Sequence, residues 1–127
     1  MQGTGPAGSI RIGIDLVAID RIATLLKQWP NLEKRLFTPG ELAYASSSSR
    51  PAQHLAARFA AKEATFKALG KGWPSLSWHD VEVVSEGGPP ILRLTGRAGA
   101  EAAGATALVS LSHDAGIAIA QVVLVGR

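Results

Sequence analysis

The chain of 127 residues contains no cysteine and few aromatic residues. Without cysteine it can form neither disulfide bonds nor thiolate metal sites, so any metal must be held by oxygen or histidine ligands. Aromatic residues make up only 6% of the chain, which disfavours a nucleic-acid surface of interleaved basic and aromatic side chains. No apolar run is long enough to cross a bilayer. These absences favour a cytoplasmic protein with no membrane segment.

The first nine residues lack the apolar stretch of a secretion signal, and we expect residues 1–9 to form a disordered tail. Residues 10–127 then form one domain, because 46% hydrophobic residues are enough for a core at this length. The 13 Lys and Arg residues against 10 Asp and Glu residues give a net charge of +3. This mild excess favours acidic partners but is weaker than the dense basic runs of dedicated nucleic-acid binders.

Two patterns meet near Asp15. Isoleucines alternate with other residues over 10–14 and predict a strand with one buried face that ends at Asp15. Helical spacing over 16–26 predicts a helix that ends before Trp29. At such a junction, the Asp15 carboxylate would either line a site or cap the helix.

A long helix with charges in its apolar surface follows the linker 46–51, includes 58–69 and ends at Gly70. Serines just before it could cap its start. Lys62 falls among large apolar side chains, and Glu63 and Lys67 lie at the edge of that face. Buried charges must be paired or bound to a ligand. Glu63 and Lys67 could form an i,i+4 ion pair, or Glu63 and Asp15 could together bind a divalent cation.

The second half of the chain predicts two β-hairpins separated by a short helix. The predicted strands cover 81–84, 91–94, 108–112 and 117–125, the helix covers 97–103, and the second hairpin turns at 113–116. Together with the first half, this order predicts an α+β domain in which an antiparallel sheet packs with a long central helix.

His113 follows a predicted strand, where it could bind an anion, accept a proton or close a turn. The first helices carry Arg21, Lys27, Lys34 and Arg35. These four side chains form either a solvated face or a docking site for an acidic protein.

In this order, the patterns resemble the holo-[acyl-carrier-protein] synthase family of 4′-phosphopantetheinyl transferases, which are short proteins that assemble as trimers. The resemblance runs from Ile12 to about Val125. The matching segments are 13–22, 37–41, 58–64, 67–70, 88–90 and 110–113. The segment from Lys71 to Asp80 looks shorter than the usual family loop.

The resemblance implies transfer of 4′-phosphopantetheine from coenzyme A to a serine of apo acyl carrier protein, with release of adenosine 3′,5′-bisphosphate. It implies that Asp15 and Glu63 hold Mg²⁺ across the pyrophosphate, and that Lys67 contacts a phosphate and stabilises the leaving group. These three residues are the expected catalytic group. The base for the serine is left open between Glu63 and a water on the metal.

The resemblance also implies further contacts. The expected coenzyme A contacts are Arg58, Lys62, Lys67, Gly70, Gly72, Pro89 and His113. Arg21 and Arg35 are the expected contacts of the acidic carrier protein. Fatty acid biosynthesis is the expected pathway, with polyketide or another pathway left open by the sequence. The alternatives are a basic nucleic-acid-binding or scaffold domain without catalysis, with Glu63 and Lys67 paired structurally, and a metal-dependent phosphoryl-transfer enzyme with another partner.

Overall fold

The computed structural model describes residues 8–127, so residues 1–7 of the expected tail lie outside the described part. The elements are the strands β1 (Ile10–Ala18), β2 (Val81–Val84), β3 (Ile91–Leu94), β4 (Thr106–Asp114) and β5 (Ile117–Val125), the helices α1 (Ile19–Gln28), α2 (Leu32–Leu36), α3 (Pro39–Ser46), α4 (Pro51–Leu69) and α5 (Gly96–Ala102), and a 3₁₀ turn at Trp78–Asp80. Before β1, the Gly8 amide donates to the Gly126 carbonyl (3.0 Å), and the Gly126 amide donates to the Ser9 carbonyl (2.7 Å). In the described part, no helix is long and apolar enough to span a membrane.

The strands form two antiparallel sheets. One has the order β1-β5-β4, and α4 packs against it, while β2 and β3 form a separate pair. In the larger sheet, Asp15 of β1 lies opposite Ala120, which lies opposite Leu111. This arrangement confirms the predicted α+β class and the central position of the long helix.

The alternating pattern of β1 is real, but its buried face is the opposite one. Ile10, Ile12, Ile14 and Leu16 are 63%, 60%, 55% and 61% exposed, whereas Gly13 is buried. A Cβ at Gly13 would lie 1.7 Å from the Ala64 carbonyl oxygen of α4, so only glycine allows this close approach. The large side chains of β1 therefore point away from the helix.

The prediction that β1 ends at Asp15 is wrong, because the strand continues to Ala18. Helix α1 begins at Ile19, and its N-cap residue makes no side-chain capping bond. Asp15 therefore does not cap a helix. It lies inside β1, on the same strand face as Gly13, which packs against α4.

Helix α4 packs closely against the sheet because small side chains cover much of its surface. Its buried alanines are Ala56, Ala57, Ala60, Ala61, Ala64 and Ala68. Its N-cap is Arg50 without a side-chain capping bond, so the expected serine cap does not form. Its end at Gly70 is confirmed, since Gly70 has a φ of 74° in the left-handed region.

Both hairpins are confirmed. In the second, β4 is longer than the predicted 108–112, whereas β5 covers the predicted 117–125. The β4–β5 connection is the two-residue turn Ala115-Gly116, with φ values of 50° and 78°, which matches the right-handed twist of paired strands. His113 consequently lies within β4 rather than in the turn.

Candidate active site

Asp15, Glu63 and Lys67 meet where β1 approaches α4. Lys67 Nζ lies 3.1 Å from Asp15 Oδ1 and donates to the Ile14 carbonyl at 3.0 Å. Among the salt bridges of residues 8–127 there is none between Glu63 and Lys67. The i,i+4 ion pair, one of the two alternatives for Glu63, is therefore not formed, and Lys67 of α4 pairs with Asp15 of β1 instead.

The environment of Glu63 opposes its negative charge. Partial burial raises the pKa of this carboxyl, the nearby Asp15 carboxylate raises it further, and Lys67 lowers it in part. Two carboxylates that repel each other beside one lysine form a site of surplus negative charge, which a cation relieves.

The ligands present suit a hard divalent cation. Asp15 and Glu63 supply carboxylate oxygens as ligands. They are a pair rather than a larger cluster, since within residues 8–127 no group of three or more His, Asp or Glu side chains could hold a metal ion. Mg²⁺ commonly uses one or two carboxylates and completes its octahedron with water and substrate phosphates. The two carboxylates therefore fit Mg²⁺ bound together with an anionic substrate.

A cavity of about 450 Å³ opens beside this group. Its lining residues are Glu63, Phe66, Lys67, Gly70, Lys71, Gly72, Trp73 and Trp78. Gly70 and Gly72, which are expected coenzyme A contacts, both line this cavity. Lys71 pairs with Glu101 at 3.1 Å, which ties the turn after α4 to α5.

The structure corrects the role expected for Lys62, which is 0% exposed. Its Nζ lies 2.8 Å from Glu41 Oε1 and also donates to the carbonyls of Trp78 and Val81. Burial lowers the pKa of Lys62, and Glu41 partly offsets that shift. All three protons of the ammonium have partners inside the fold, so Lys62 is not available to coenzyme A.

Glu41 is a buried carboxylate, and the sequence analysis did not predict its role in the interior. Thr38 and Glu41 form a reciprocal capping box at the start of α3, and Glu41 also accepts a hydrogen bond from the Val83 amide at 2.9 Å. The Thr-x-x-Glu spacing is the sequence signal of such a cap. That this cap also neutralises Lys62 depends on how α3 packs on α4.

A second cavity of about 230 Å³ lies near the start of α4. Its lining residues are Tyr44, Gln53, His54, Ala57, Arg58, Ser85, Gly88, Pro90, Leu111, Ser112 and His113. Pro89, an expected coenzyme A contact, is exposed and lies in the sequence between the lining residues Gly88 and Pro90. This cavity shares no lining residue with the one beside Glu63.

Arg58 and His113 give the second cavity a basic character. Arg58 is 2% exposed, its guanidinium lies 4.3 Å above the Tyr44 ring, and it donates to Ser85 Oγ at 3.0 Å. Its buried Nε has no hydrogen-bond partner among the described residues. His113 Nε2 lies 3.1 Å from Gln53 Nε2. An anion with several acceptor oxygens would suit these groups.

Arg21 and Arg35 lie on the side of the molecule formed by α1 and α2. Both are exposed, and neither forms a salt bridge within residues 8–127. Arg35 borders a groove of about 320 Å³ whose walls are otherwise apolar and include Leu25 and Leu32. Trp73 and Trp78 line both this groove and the cavity beside Glu63.

Known proteins resemble this chain in sequence and in fold. A family model described as the 4′-phosphopantetheinyl transferase superfamily matches residues 11–120. A holo-[acyl-carrier-protein] synthase of Frankia alni is 48% identical over 118 residues, which are 90% of this chain and 95% of the relative.

Two solved structures agree with the fold. A Chronobacterium ammoniagenes ACPS-CoA complex has a TM-score of 0.81 at 30% identity, with 94% of this chain and 98% of that chain covered. A Helicobacter pylori holo-[acyl-carrier-protein] synthase in complex with coenzyme A has a TM-score of 0.78 at 32% identity, with 89% and 98% covered. This chain therefore belongs to the holo-[acyl-carrier-protein] synthase family of the 4′-phosphopantetheinyl transferase superfamily.

Proposed function

We propose that this chain transfers the 4′-phosphopantetheine group of coenzyme A to a serine of apo acyl carrier protein, with Mg²⁺, and releases adenosine 3′,5′-bisphosphate. The observation that carries the proposal is the convergence of Asp15, Glu63 and Lys67 beside an open cavity. All three lie within the segment that matches the superfamily.

In this reaction Asp15 and Glu63 would hold Mg²⁺, which when bound supplies positive charge to the pyrophosphate. Lys67 reaches the same place from α4 and would contact a phosphate oxygen, where its charge stabilises the leaving group. Gly70 and Gly72 line the cavity without side chains, so that a phosphate could approach their backbone closely.

Arg58 and His113 would bind a phosphate of the nucleotide part of coenzyme A. The buried, unpartnered Arg58 Nε and the histidine within the same cavity support this assignment. The neighbouring loop of Gly88 and Pro89 would border the nucleotide. The two cavities share no lining residue within one chain. We propose that one coenzyme A uses both kinds of cavity, one from each of two adjacent subunits.

The exposed face of β1 supports a homotrimer. An apolar row is exposed on the surface of the single chain and consists of Ile10, Ile12, Ile14 and Leu16. Leu108 of β4 adds to the same face of the sheet, with 54% of its surface exposed. Contiguous apolar surface of this kind is typical of subunit interfaces.

The carrier protein would dock on α1 and α2. Arg21 and Arg35 are exposed cations, and the apolar groove beside Arg35 meets the cavity at Trp73 and Trp78. An acidic partner would be attracted and oriented by these charges. We further propose a location in the cytoplasm, which the cysteine-free composition supports, and a role in fatty acid biosynthesis.

The test incubates the protein with apo acyl carrier protein, coenzyme A and MgCl₂, and follows the intact mass of the carrier. We expect one phosphopantetheine to be added and expect EDTA to stop the reaction, with recovery on excess Mg²⁺. A carrier that stays in the apo form under every divalent metal would contradict the proposal. Transfer that is unaffected by EDTA would contradict the role of the metal alone.

A further inference from the structure

Lys67 occupies the position beside Asp15 where the proposed function requires a divalent cation. Its Nζ lies 3.1 Å from Asp15 Oδ1 and also donates to the Ile14 carbonyl at 3.0 Å. An ammonium at this distance places a positive charge on Asp15 Oδ1, one of the two carboxylate oxygens that could bind a metal ion. In this state the charge of Asp15 is already balanced by the protein itself.

Of the two partners, Lys67 is the one that can move. Its side chain is 56% exposed, whereas that of Asp15 is 19% exposed. Lysine has a flexible four-carbon stem, and an ion pair so open to solvent contributes little to stability. Asp15 is held in β1 between β5 and α4. Release of the pair therefore moves the lysine and leaves the carboxylate in place.

A divalent cation and the Lys67 ammonium repel each other when both lie at Asp15. Glu63 adds only one further negative charge, so the three side chains do not readily accept both cations. A pyrophosphate in the adjoining cavity changes this balance, because it attracts Lys67 and supplies additional oxygen ligands. Each ligand thus removes an obstacle to the binding of the other, which is a reciprocal coupling.

We propose that Lys67 balances the charge of Asp15 when no divalent cation is bound, that it competes with a divalent cation for this carboxylate, and that a bound pyrophosphate draws it away. The divalent cation and coenzyme A then bind cooperatively through this one side chain. The inference rests on the proposed function, since it takes Asp15 and Glu63 as the cation site. Lys67 is accordingly a positioning residue for the cation in addition to a contact for the phosphate.

The test measures Mn²⁺ binding by electron paramagnetic resonance to the full chain without coenzyme A. We expect Lys67→Met to bind Mn²⁺ about tenfold more tightly than the unmodified protein, because the competing charge is gone. Lys67→Arg keeps the charge and is expected to bind as weakly as the unmodified protein. Lys71→Met is the matched control, because it removes a lysine that lines the same cavity but pairs with Glu101.

The comparison of Lys67→Met with Lys71→Met decides the inference. Equal Mn²⁺ affinities for these two variants, or no binding to Lys67→Met, would overturn the coupling through Lys67. Asp15→Asn added to Lys67→Met is expected to abolish the tight binding. If the double variant binds as tightly as Lys67→Met, the cation site of the proposed function is wrong. Thermal unfolding of each variant verifies that it is folded.

Discussion

Glu63 is a carboxylate whose surroundings oppose its negative charge. Burial and Asp15 raise its pKa, so the folded chain holds the proton of Glu63 more tightly than the unfolded chain does. Below the pKa that Glu63 has in the unfolded chain, its carboxyl is neutral in both the folded and the unfolded state and does not lower the free energy of unfolding. As the pH rises through the interval up to the pKa of the folded chain, stability is lost.

We therefore predict that Glu63→Gln is more stable than the unmodified chain at neutral pH, because the amide carries no charge. Urea unfolding from pH 4 to pH 8 measures the difference, which should shrink toward the acidic end. The Mg²⁺ concentration is kept at zero, since a bound ion would stabilise the unmodified chain. A variant that is less stable at every pH would show that Glu63 supports the fold.

Lys62 and Glu41 form a fully buried pair, and removal of one partner leaves the other charged and buried. We predict that Lys62→Met destabilises the protein by about 3 to 5 kcal/mol, measured by urea unfolding. The KM for coenzyme A of the folded fraction should not change. Unchanged stability with a raised KM would restore the original expectation that Lys62 contacts coenzyme A.

The contact between β1 and α4 is the element-scale feature that forms the site. Because the Ala64 carbonyl approaches Gly13 so closely, the strand and the helix bring Asp15 and Lys67 within ion-pair distance. A β-carbon has no room there, and neither backbone can move without disturbing the sheet. The geometry of the site thus depends on Gly13, which has no side chain.

We predict that Gly13→Ala destabilises the protein by more than about 3 kcal/mol, at or beyond the upper end of the usual cost of overpacking. Gly88→Ala is the matched control, since a β-carbon at Gly88 would have no atom within 4 Å, and it should change stability by less than about 0.5 kcal/mol. Urea unfolding measures both. Equal stability of the two variants would contradict the close approach.

Sequence patterns predicted the elements well and their faces less well. The hairpins, the end of α4 at Gly70 and the segments carrying the site residues follow from local signals such as alternation and turn glycines. The exposed face of β1 could not be predicted from alternation, which shows two faces but not which one packs. The pairing of Lys67 with Asp15, and of Lys62 with Glu41, depends on distances between separate elements.

The exposed isoleucines of β1 matter at the scale of the whole molecule, because they are the surface through which we propose that subunits assemble. We predict that Ile12→Asp converts the proposed trimer to monomers, measured by sedimentation velocity, because a carboxylate buried in the interface would be unpaired. Ile91→Asp is the control. It changes an isoleucine of equal exposure, 60%, on the separate β2–β3 pair, and should leave the assembly intact.

If Ile12→Asp and Ile91→Asp sediment alike, the apolar face of β1 is not the interface. If Ile12→Asp is monomeric, it should also lose transfer activity, because the proposed coenzyme A site combines cavities of two subunits. A monomer with full activity would still support the assignment of the β1 face as the interface, but it would contradict a coenzyme A site shared between two subunits.

The central claim is that Asp15 and Glu63 form the metal site for phosphopantetheine transfer. The most direct test is the rate of mass gain of apo acyl carrier protein, with coenzyme A and Mg²⁺, for the unmodified chain, Asp15→Asn and Glu63→Gln. We predict that each variant is folded and slower by at least about a hundredfold, as expected when a group that stabilises developing charge is removed. A folded Glu63→Gln variant that transfers at the full rate would contradict the claim.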